Sequence, residues 1–199
     1  MSRYNPDIHQ RRSIRLKSYD YSQNGTYFVT ICTFDHGCHF EEHKQLRQIV
    51  KAQWQGLPER FLGMTLDEFV IMPNHFHGII VLRRDTPRGY PNLGDEKQEH
   101  LCIDKGHPQG MPLRQPTVGE IVGSFKSLCV NAWLRVIKEK NLNLVGKFWQ
   151  KNYYEHVIRS DGELERIRQY IVDNPLKWEL DRENPSFKNS QTPSEKWMV

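Results

Sequence analysis

The sequence lacks the features of a secreted or membrane-bound protein. Its 199 residues contain four cysteines, none in a Cys-x-x-Cys pair, which argues against a disulfide framework. No apolar run reaches the length that a membrane span requires, and the N-terminus has no hydrophobic signal segment. The hydrophobic content of 37% is enough for one modest core. The sequence therefore predicts a soluble, intracellular protein with no membrane contact.

Histidines surround two of the cysteines. The residues concerned are Cys32, His36, Cys38, His39 and His43. Their closeness in sequence is compatible with a zinc site, but their spacing fits no common zinc module. Ordinary buried thiols and loop histidines explain the pattern better.

Most of the chain carries no excess positive charge. Residues 1–17 account for the whole net charge of the protein. The net charge of the protein is +4, and this segment contains five basic residues against one acidic residue. The basic residues are Arg3, Arg11, Arg12, Arg15 and Lys17. Cations interleaved with tyrosines are typical of a nucleic-acid contact, since cations neutralise phosphate and aromatic rings stack on bases. A solvated tail is an equally good interpretation of this segment alone.

Residues 66–82 carry the most informative local pattern. Apolar and β-branched residues fill both ends, and Pro73 with Asn74 predicts a tight turn between two strands. Because successive side chains of a strand point to opposite faces, His75 and His77 are predicted to project from one face. Two imidazoles on one strand suit a metal ion that takes a further ligand from elsewhere. The pattern alone is also compatible with surface or core histidines.

The order of the predicted elements indicates an α+β fold of the ferredoxin-like split βαβ type. The predicted strands are residues 26–33, the two strands around the turn and residues 153–158, and the predicted helices are residues 41–55, 117–137 and 162–173. This order predicts a four-stranded antiparallel sheet with helices on one face, plus a C-terminal helix that ends before Pro175.

The predicted domain covers most of the chain. We expect a basic arm at residues 1–24, the domain at residues 25–178 and a polar tail at residues 179–199, of which the part from Glu183 onward runs over the surface. Prolines, glycines and charges at residues 83–116 predict a flexible insertion within the domain.

Two predicted helices carry polar groups of interest. Thr117 and Glu120 form a capping-box pattern, and Lys126 on the same helix could contact a phosphate or be solvated. On the last helix, Tyr170 and Asn174 are four residues apart and share a face. A phenol and an amide carbonyl presented together could be a nucleophile and a metal ligand, or simply a core-edge aromatic and a helix-terminal residue.

Four ordered segments resemble the REP-associated tyrosine transposases, which belong to the HUH single-tyrosine transposase family. The segments are IMPNHFH at residues 71–77, GSFKS at 123–127, FWQKNYYEHVIR at 148–159 and YIVDNP at 170–175. Apart from the insertion, the resemblance extends from about residue 11 to residue 178. It implies that His75, His77 and Asn174 hold Mg²⁺ or Mn²⁺ and that Tyr170 is the nucleophile. Some relatives carry glutamine at the position of Asn174.

The resemblance also implies an activity and a partner. The expected enzyme is a tyrosine transposase, an endonuclease that cleaves and rejoins single-stranded DNA next to a REP-type hairpin through a 5′-phosphotyrosine intermediate. The arm resembles a segment used near the hairpin, so the predicted DNA-binding residues of the arm are Arg11, Arg12, Arg15 and Lys17. Lys126, on the predicted helix, is a further predicted DNA contact. The expected location is the bacterial cytoplasm in association with the nucleoid, and the expected state is a monomer.

Two other classes of function remain open on the sequence. One is a zinc hydrolase with His75, His77 and His156 around the metal, and the other is a non-catalytic module that binds single-stranded nucleic acid. His156 is also a candidate base for removing the proton of Tyr170. Neither alternative accounts for Tyr170 and Asn174 together with the histidine pair.

Overall fold

A computed structural model describes residues 19–83, 116–181 and 183–187. The strands are β1 Gly25–Cys32, β2 Met64–Ile71, β3 His75–Leu82 and β4 Tyr154–Ile158. The α-helices are α1 His39–Glu42, α2 Lys44–Gln55, α3 Val118–Glu139 and α4 Asp161–Asp173. Two 3-10 helices span Phe34–His36 and Asn174–Leu180. The element order is the predicted one, except that the helix predicted over residues 41–55 is two helices interrupted at His43.

The four strands form one antiparallel sheet in the order β2-β3-β1-β4. This confirms the ferredoxin-like split βαβ arrangement, in which β3 lies between the two strands that α2 connects. Strand β3 is central, and the register pairs His75 with Cys32 at one end of β1 and Leu82 with Gly25 at the other. The histidine pair therefore lies at the end of the sheet that holds the C-terminus of β1 and the N-terminus of β3.

Helices α2 and α3 cover one face of the sheet. Trp54 of α2 packs against Phe76 of β3 and Phe125 of α3, with ring centroids 4.6 and 5.2 Å from its own. All three side chains are buried. Burying an aromatic ring of this kind contributes about 1.5–3 kcal/mol, so this face holds the main core.

Helix α4 covers the opposite face. Ile167 and Ile171, four residues apart on α4, pack with Phe28 of β1, Ile79 of β3 and Ile158 of β4 in a second, smaller cluster. The predicted architecture, helices on one face plus a C-terminal helix, is confirmed. A consequence is that whatever β3 projects toward α4 is shielded by that helix.

The predicted helix boundaries have visible causes. The Thr117 hydroxyl accepts from the backbone N–H of Glu120 at 3.2 Å, and the Glu120 carboxylate accepts from the backbone N–H of Thr117 at 2.8 Å, which completes the capping box. Ser160 caps α4 in the same way, through the backbone N–H of Glu163. Helix α4 ends at Asp173, and Pro175 follows within the 3-10 helix.

The start of the predicted polar tail contacts the domain. Residues 188–199, the part of the tail beyond Phe187 that is expected to run over the surface, lie outside the described residues, but the backbone carbonyl of Glu183 accepts a hydrogen bond from the buried Asn74 side chain. A buried amide has to find acceptors, and this carbonyl is one of them. Most of the predicted arm and insertion, residues 1–18 and 84–115, lies outside the described residues. Within the described ranges, no helix combines the length and the apolar character that crossing a bilayer demands.

Candidate active site

Strand β3 presents His75 and His77 on the face that α4 covers. Phe76 between them points the other way and is buried against Trp54, as the alternation along a strand requires. The two imidazole rings lie with centroids 4.5 Å apart, and both side chains are almost completely buried. The turn before them is tight, because the backbone N–H of Met72 donates to the carbonyl of His75 at 2.9 Å. The sequence prediction for this pair of histidines on one face is confirmed by its placement.

The hydrogen bonds of Asn74 determine which nitrogen of His75 carries the proton. The Asn74 amide nitrogen donates to two backbone carbonyls, those of His36 at 3.0 Å and of Glu183, and this fixes the orientation of the amide. Its oxygen lies 2.9 Å from His75 Nδ1 and can only accept. Nδ1 therefore carries the hydrogen, and Nε2 of His75 keeps a free lone pair.

His77 is held from both sides. Its Nδ1 lies 2.8 Å from the hydroxyl of Thr30 on β1, and its ring stacks on Phe28 with centroids 5.3 Å apart. Burial, and next the charge of neighbouring His75, hold the pKa of His77 well below its usual range. Burial, with a smaller contribution from His36, lowers the pKa of His75 to about 3. Both imidazoles are therefore neutral near pH 7, the form that binds metal ions.

Helix α4 brings Tyr170 to this pair. The Tyr170 hydroxyl lies 3.4 Å from His77 Nε2, and its ring contacts those of His77 and Phe28 edge-on at 5.3 and 6.2 Å. The backbone N–H of Asn174 donates to the carbonyl of Tyr170, so the α-helical turn continues to Asn174. A phenol and the histidine pair, 93 positions apart in the sequence, thus share one site.

Two buried polar atoms, one in the histidine pair and one on the helical turn that follows Tyr170, have no hydrogen-bond partner among the described residues. They are His75 Nε2 and the side-chain oxygen of Asn174, a residue only 4% exposed. Leaving a buried acceptor unsatisfied costs about 1–3 kcal/mol, so such atoms are uncommon unless a ligand completes them. Imidazole nitrogen and amide oxygen are both ligands of first-row divalent ions. The residues present therefore fit a divalent cation.

Three supporting residues were not identified from the sequence. Thr30 and Asn74 orient the two imidazoles, and a carboxylate oxygen of Asp181 lies 3.7 Å from His75 Nε2. Asn74 was interpreted only as a turn residue, although its position next to His75 was an available signal. Asp181 and Thr30 have no local sequence pattern that marks them.

An ion pair anchors α4 beside Tyr170. The Arg168 guanidinium donates to both carboxylate oxygens of Asp67 on β2, at 2.9 and 2.6 Å, and this hydrogen bonding holds the pKa of Asp67 below its usual value. Asp67 lies in a β-bulge between Leu66 and Phe69, both of which pack toward the main core. Because side chains alternate along a strand, Asp67 next to Leu66 faces α4, and the extra residue of the bulge returns Phe69 to the core face.

Other predicted functional residues lie elsewhere. The Lys126 ammonium donates to the backbone carbonyls of Gln150 and Lys151, on the side of the sheet that α3 covers, and burial lowers its pKa. His156 lies 2.8 Å from Glu163 in the first turn of α4, whereas Tyr170 is in the last. The predicted DNA-binding residues Arg11, Arg12, Arg15 and Lys17 lie outside the described residues.

Comparisons with known proteins give a relative of similar length and distantly similar solved structures. No family model matches the chain. The solved structures that resemble it include a REP-associated tyrosine transposase bound to a REP hairpin (17% identity, TM-score 0.49, 89% of this chain and 74% of that chain) and a putative transposase from Deinococcus radiodurans (15% identity, TM-score 0.39, 80% and 95%). Both likenesses are too weak to bear on the chemistry of this chain.

The relative of similar length is a protein of Haemophilus influenzae that is described as an uncharacterized protein. It is 39% identical over an alignment of 188 positions that covers 91% of this chain and 97% of the relative. At that identity and coverage, the chain belongs to the same protein family as this Haemophilus influenzae protein.

Proposed function

We propose that this protein is a tyrosine transposase that cleaves and rejoins single-stranded DNA beside a hairpin, with Tyr170 as the nucleophile. The observation that carries the proposal is the convergence of the Tyr170 hydroxyl on His77, 3.4 Å away and next to His75, whose buried Nε2 has no hydrogen-bond partner among the described residues. A metal ion that activates a phosphate needs protein ligands, and the nucleophile must lie within reach of that phosphate. This arrangement places candidate ligands and a candidate nucleophile from one chain side by side.

In this proposal His75, His77 and Asn174 hold Mg²⁺ or Mn²⁺. Such an ion supplies electrostatic stabilisation of the charge that develops on the scissile phosphate. Asn74 and Thr30 keep the two imidazoles oriented and their Nδ1 atoms occupied, which directs Nε2 toward the site. The low pKa of each histidine keeps these nitrogens unprotonated in neutral solution.

Tyr170 carries the covalent step. Its phenolic oxygen forms a bond to phosphorus, the bond from phosphorus to the 3′ oxygen breaks, and that oxygen takes a proton to become a free 3′-hydroxyl. The product is a 5′-phosphotyrosine, which conserves the phosphodiester energy, so the 3′-hydroxyl of another strand can attack it and rejoin the DNA. His156 is a poor candidate for the base that takes the phenolic proton, because it lies beside the first turn of α4, whereas Tyr170 is in the last turn.

The proposed partner is single-stranded DNA with a REP-type hairpin. Support comes from the charge distribution, since residues 1–17 hold five basic residues and one acidic residue. Two tyrosines in the described part of the arm, Tyr19 and Tyr21, pack on Tyr27 of β1 with ring centroids 6.4 and 6.2 Å from it. The arm therefore leaves the domain at the end of β1 opposite the histidine pair, and a hairpin bound there would extend its single-stranded flank along the sheet.

The proposal is tested by covalent capture on a denaturing gel. Labelled hairpin DNAs with a panel of flanking sequences are incubated with wild-type protein in Mn²⁺ or EDTA, and a protein–DNA adduct is expected only with the metal. Tyr170→Phe should abolish the adduct while binding persists. Tyr153→Phe is the matched control. It also removes a tyrosine hydroxyl, but that hydroxyl donates to Glu155 of β4, so the adduct should be unchanged.

Other outcomes would replace the proposal. Turnover without an adduct, and indifferent to Tyr170→Phe, would establish a metal hydrolase. Binding that is insensitive to EDTA, with no cleavage of any flanking sequence, would establish a binding module. The Asn174→Gln variant provides a finer test, because it keeps an amide oxygen and should retain more activity than Asn174→Leu.

A further inference from the structure

A second group of metal-ligand side chains lies beside the histidine pair and takes no part in the proposed chemistry. Cys32, His36 and Glu183 each offer one ligand atom, and the three atoms lie within 4.8 Å of one another. His36 Nδ1 is 2.7 Å from a Glu183 carboxylate oxygen, and the Cys32 sulfur is 3.9 Å from the same oxygen. The end of β1 and the 3-10 helix that follows it thus meet the C-terminal segment at one point.

We propose that Cys32, His36 and Glu183 form a binding site for a zinc-class divalent cation, separate from the site of His75, His77 and Asn174. A thiolate, an imidazole and a carboxylate are the three ligand types that Zn²⁺ accepts, and three protein ligands leave the fourth position to water. Thiolate selects soft ions of this class over Mg²⁺, which prefers oxygen ligands.

The separations between these atoms suit such an ion. Ligand bonds of about 2.0–2.3 Å in tetrahedral geometry place the donor atoms roughly 3.3–3.8 Å apart. The sulfur-to-oxygen distance of 3.9 Å is already close to this range. The shorter distance, from His36 to Glu183, is that of a hydrogen bond, and it would lengthen when the ion replaces the shared proton.

The proton balance involves Gln150. Its amide nitrogen lies 3.0 Å from His36 Nε2, so Nε2 accepts and Nδ1 carries the hydrogen that faces Glu183. Binding at Nδ1 moves this proton to Nε2, and a flip of the Gln150 amide then presents its oxygen as the acceptor. The Cys32 thiol releases its own proton to solvent as it becomes a thiolate ligand.

The backbone around His36 is held in an unusual conformation. Asp35 and His36 have φ values of 51° and 53°, in the left-handed region that residues other than glycine seldom occupy. Two such residues in succession cost about 1–3 kcal/mol each, and strain of this kind is concentrated at functional sites. The turn directs the imidazole of His36 toward Glu183 and its carbonyl toward Asn74.

An ion at this site would connect the C-terminal segment to the proposed active site. Glu183 supplies a side-chain ligand to the ion, while its backbone carbonyl accepts from the Asn74 amide that orients His75. The register also pairs Cys32 with His75 as direct neighbours across β1 and β3. Occupancy would therefore hold Glu183 in place and, through its carbonyl, the Asn74 amide that orients His75.

The test uses Co²⁺ alone as a spectroscopic probe of the full-length, reduced protein without oxygen. A thiolate ligand gives an intense near-ultraviolet charge-transfer band, which imidazole and amide ligands do not give. We expect the band to saturate at one equivalent per chain, to be displaced by Zn²⁺ and to be lost in Cys32→Ser. Glu183→Gln, at a partly exposed residue, should weaken Zn²⁺ binding at least tenfold, and the exposed Glu179→Gln should not.

Two controls separate this site from the rest of the protein. Cys38→Ser is the matched cysteine control, because Cys38 is also half-exposed but lies outside the group, and it should keep the band. The double variant His75→Ala/His77→Ala should keep it too, even though it removes the proposed active site. A missing band in the wild type, a band that survives Cys32→Ser, or a band that disappears with Cys38→Ser would overturn the proposal. Circular dichroism of the metal-free variants establishes that each is folded.

Discussion

Gly78 is a residue whose identity is set by packing. It follows the histidine pair on β3 and lies on the face of Trp54, and a methyl group placed on its Cα would come within 2.5 Å of the Trp54 ring and 2.8 Å of the Phe76 ring. Both rings are buried, so neither can move aside without disturbing the main core. The absence of a side chain here lets α2 approach the strand that carries both histidines.

We expect Gly78→Ala to lower the free energy of unfolding by about 1–3 kcal/mol, because it overpacks the core. Urea denaturation followed by tryptophan fluorescence measures the change. Gly123→Ala is the matched control: Gly123 is exposed in the interior of α3 and an added methyl there has no heavy atom within 4 Å. That variant should be more stable than the wild type by about 0.5–1 kcal/mol, from helix propensity. Equal stabilities for the two variants would contradict the packing argument.

At the scale of the element, α4 is fixed at its start and just beyond its midpoint. Ser160 caps its first turn, and Arg168 in its third turn makes a two-point contact with Asp67 on the edge strand β2. On either side of Arg168, Ile167 and Ile171 bury one stripe of the helix on the sheet. Tyr170 therefore stands on a helix whose rotation and tilt are both constrained.

We expect Arg168→Lys to slow covalent adduct formation by roughly tenfold without weakening DNA binding, because lysine cannot reproduce the planar two-point contact and Tyr170 loses its alignment. Single-turnover gels give the rate, and a binding assay with the same DNA gives the affinity. Arg166→Lys changes an exposed residue of the same helix and should leave the rate at the wild-type value. A wild-type rate for Arg168→Lys would mean that the hydrophobic stripe alone aligns the tyrosine.

At the scale of the whole molecule, the buried histidines make folding sensitive to pH. The pKa of His75 falls from an ordinary value of 6.5 to about 3 on folding, and that of His77 falls in the same direction. Between those values the unfolded chain binds protons that the folded chain does not, so acid favours unfolding. The stabilisation is fully present above pH 6.5 and is lost as the pH falls toward the folded-state pKa.

We expect the free energy of unfolding, measured by urea titration in EDTA, to decrease between pH 6.5 and pH 5 by up to about 1.4 kcal/mol per pH unit for each histidine. This window lies above the ordinary range of carboxyl groups, whose pairing affects stability at lower pH. The His75→Gln/His77→Gln variant should have a distinctly shallower slope over the same window. If the free energy of unfolding had the same pH dependence in the wild type and in the variant, these histidines would not be the cause of the acid sensitivity.

The parts of the molecule that the sequence predicts are those with a local rule. The period of two along β3 places His75 and His77 together, the spacing of four places Tyr170 and Asn174 on one helix face, and Thr117 marks the start of α3. Strand order also follows from the succession of elements. These rules act over a few residues, and the structure bears them out.

Contacts between distant segments have no such rule. Arg168 meets Asp67 across 101 positions, and this pairing depends on how α4 packs across the sheet onto β2. The Asn74 amide needs a carbonyl from Glu183, 109 positions later, in a segment whose composition predicts a free tail. Both pairings depend on how the folded elements meet, which hydrophobic periodicity does not encode.

The connection between β4 and α4 has a mechanical consequence. Only two residues, 159 and 160, separate the strand from the helix, so a tilt of the helix at that point would move its far end most. Tyr170 stands about 15 Å along it, at 1.5 Å per residue. A tilt of about 5° would displace the phenol by roughly 1 Å, an error large enough to cost about two orders of magnitude in rate. The contacts that oppose such a tilt, the Arg168–Asp67 ion pair and the two buried isoleucines, therefore limit the displacement of the phenol.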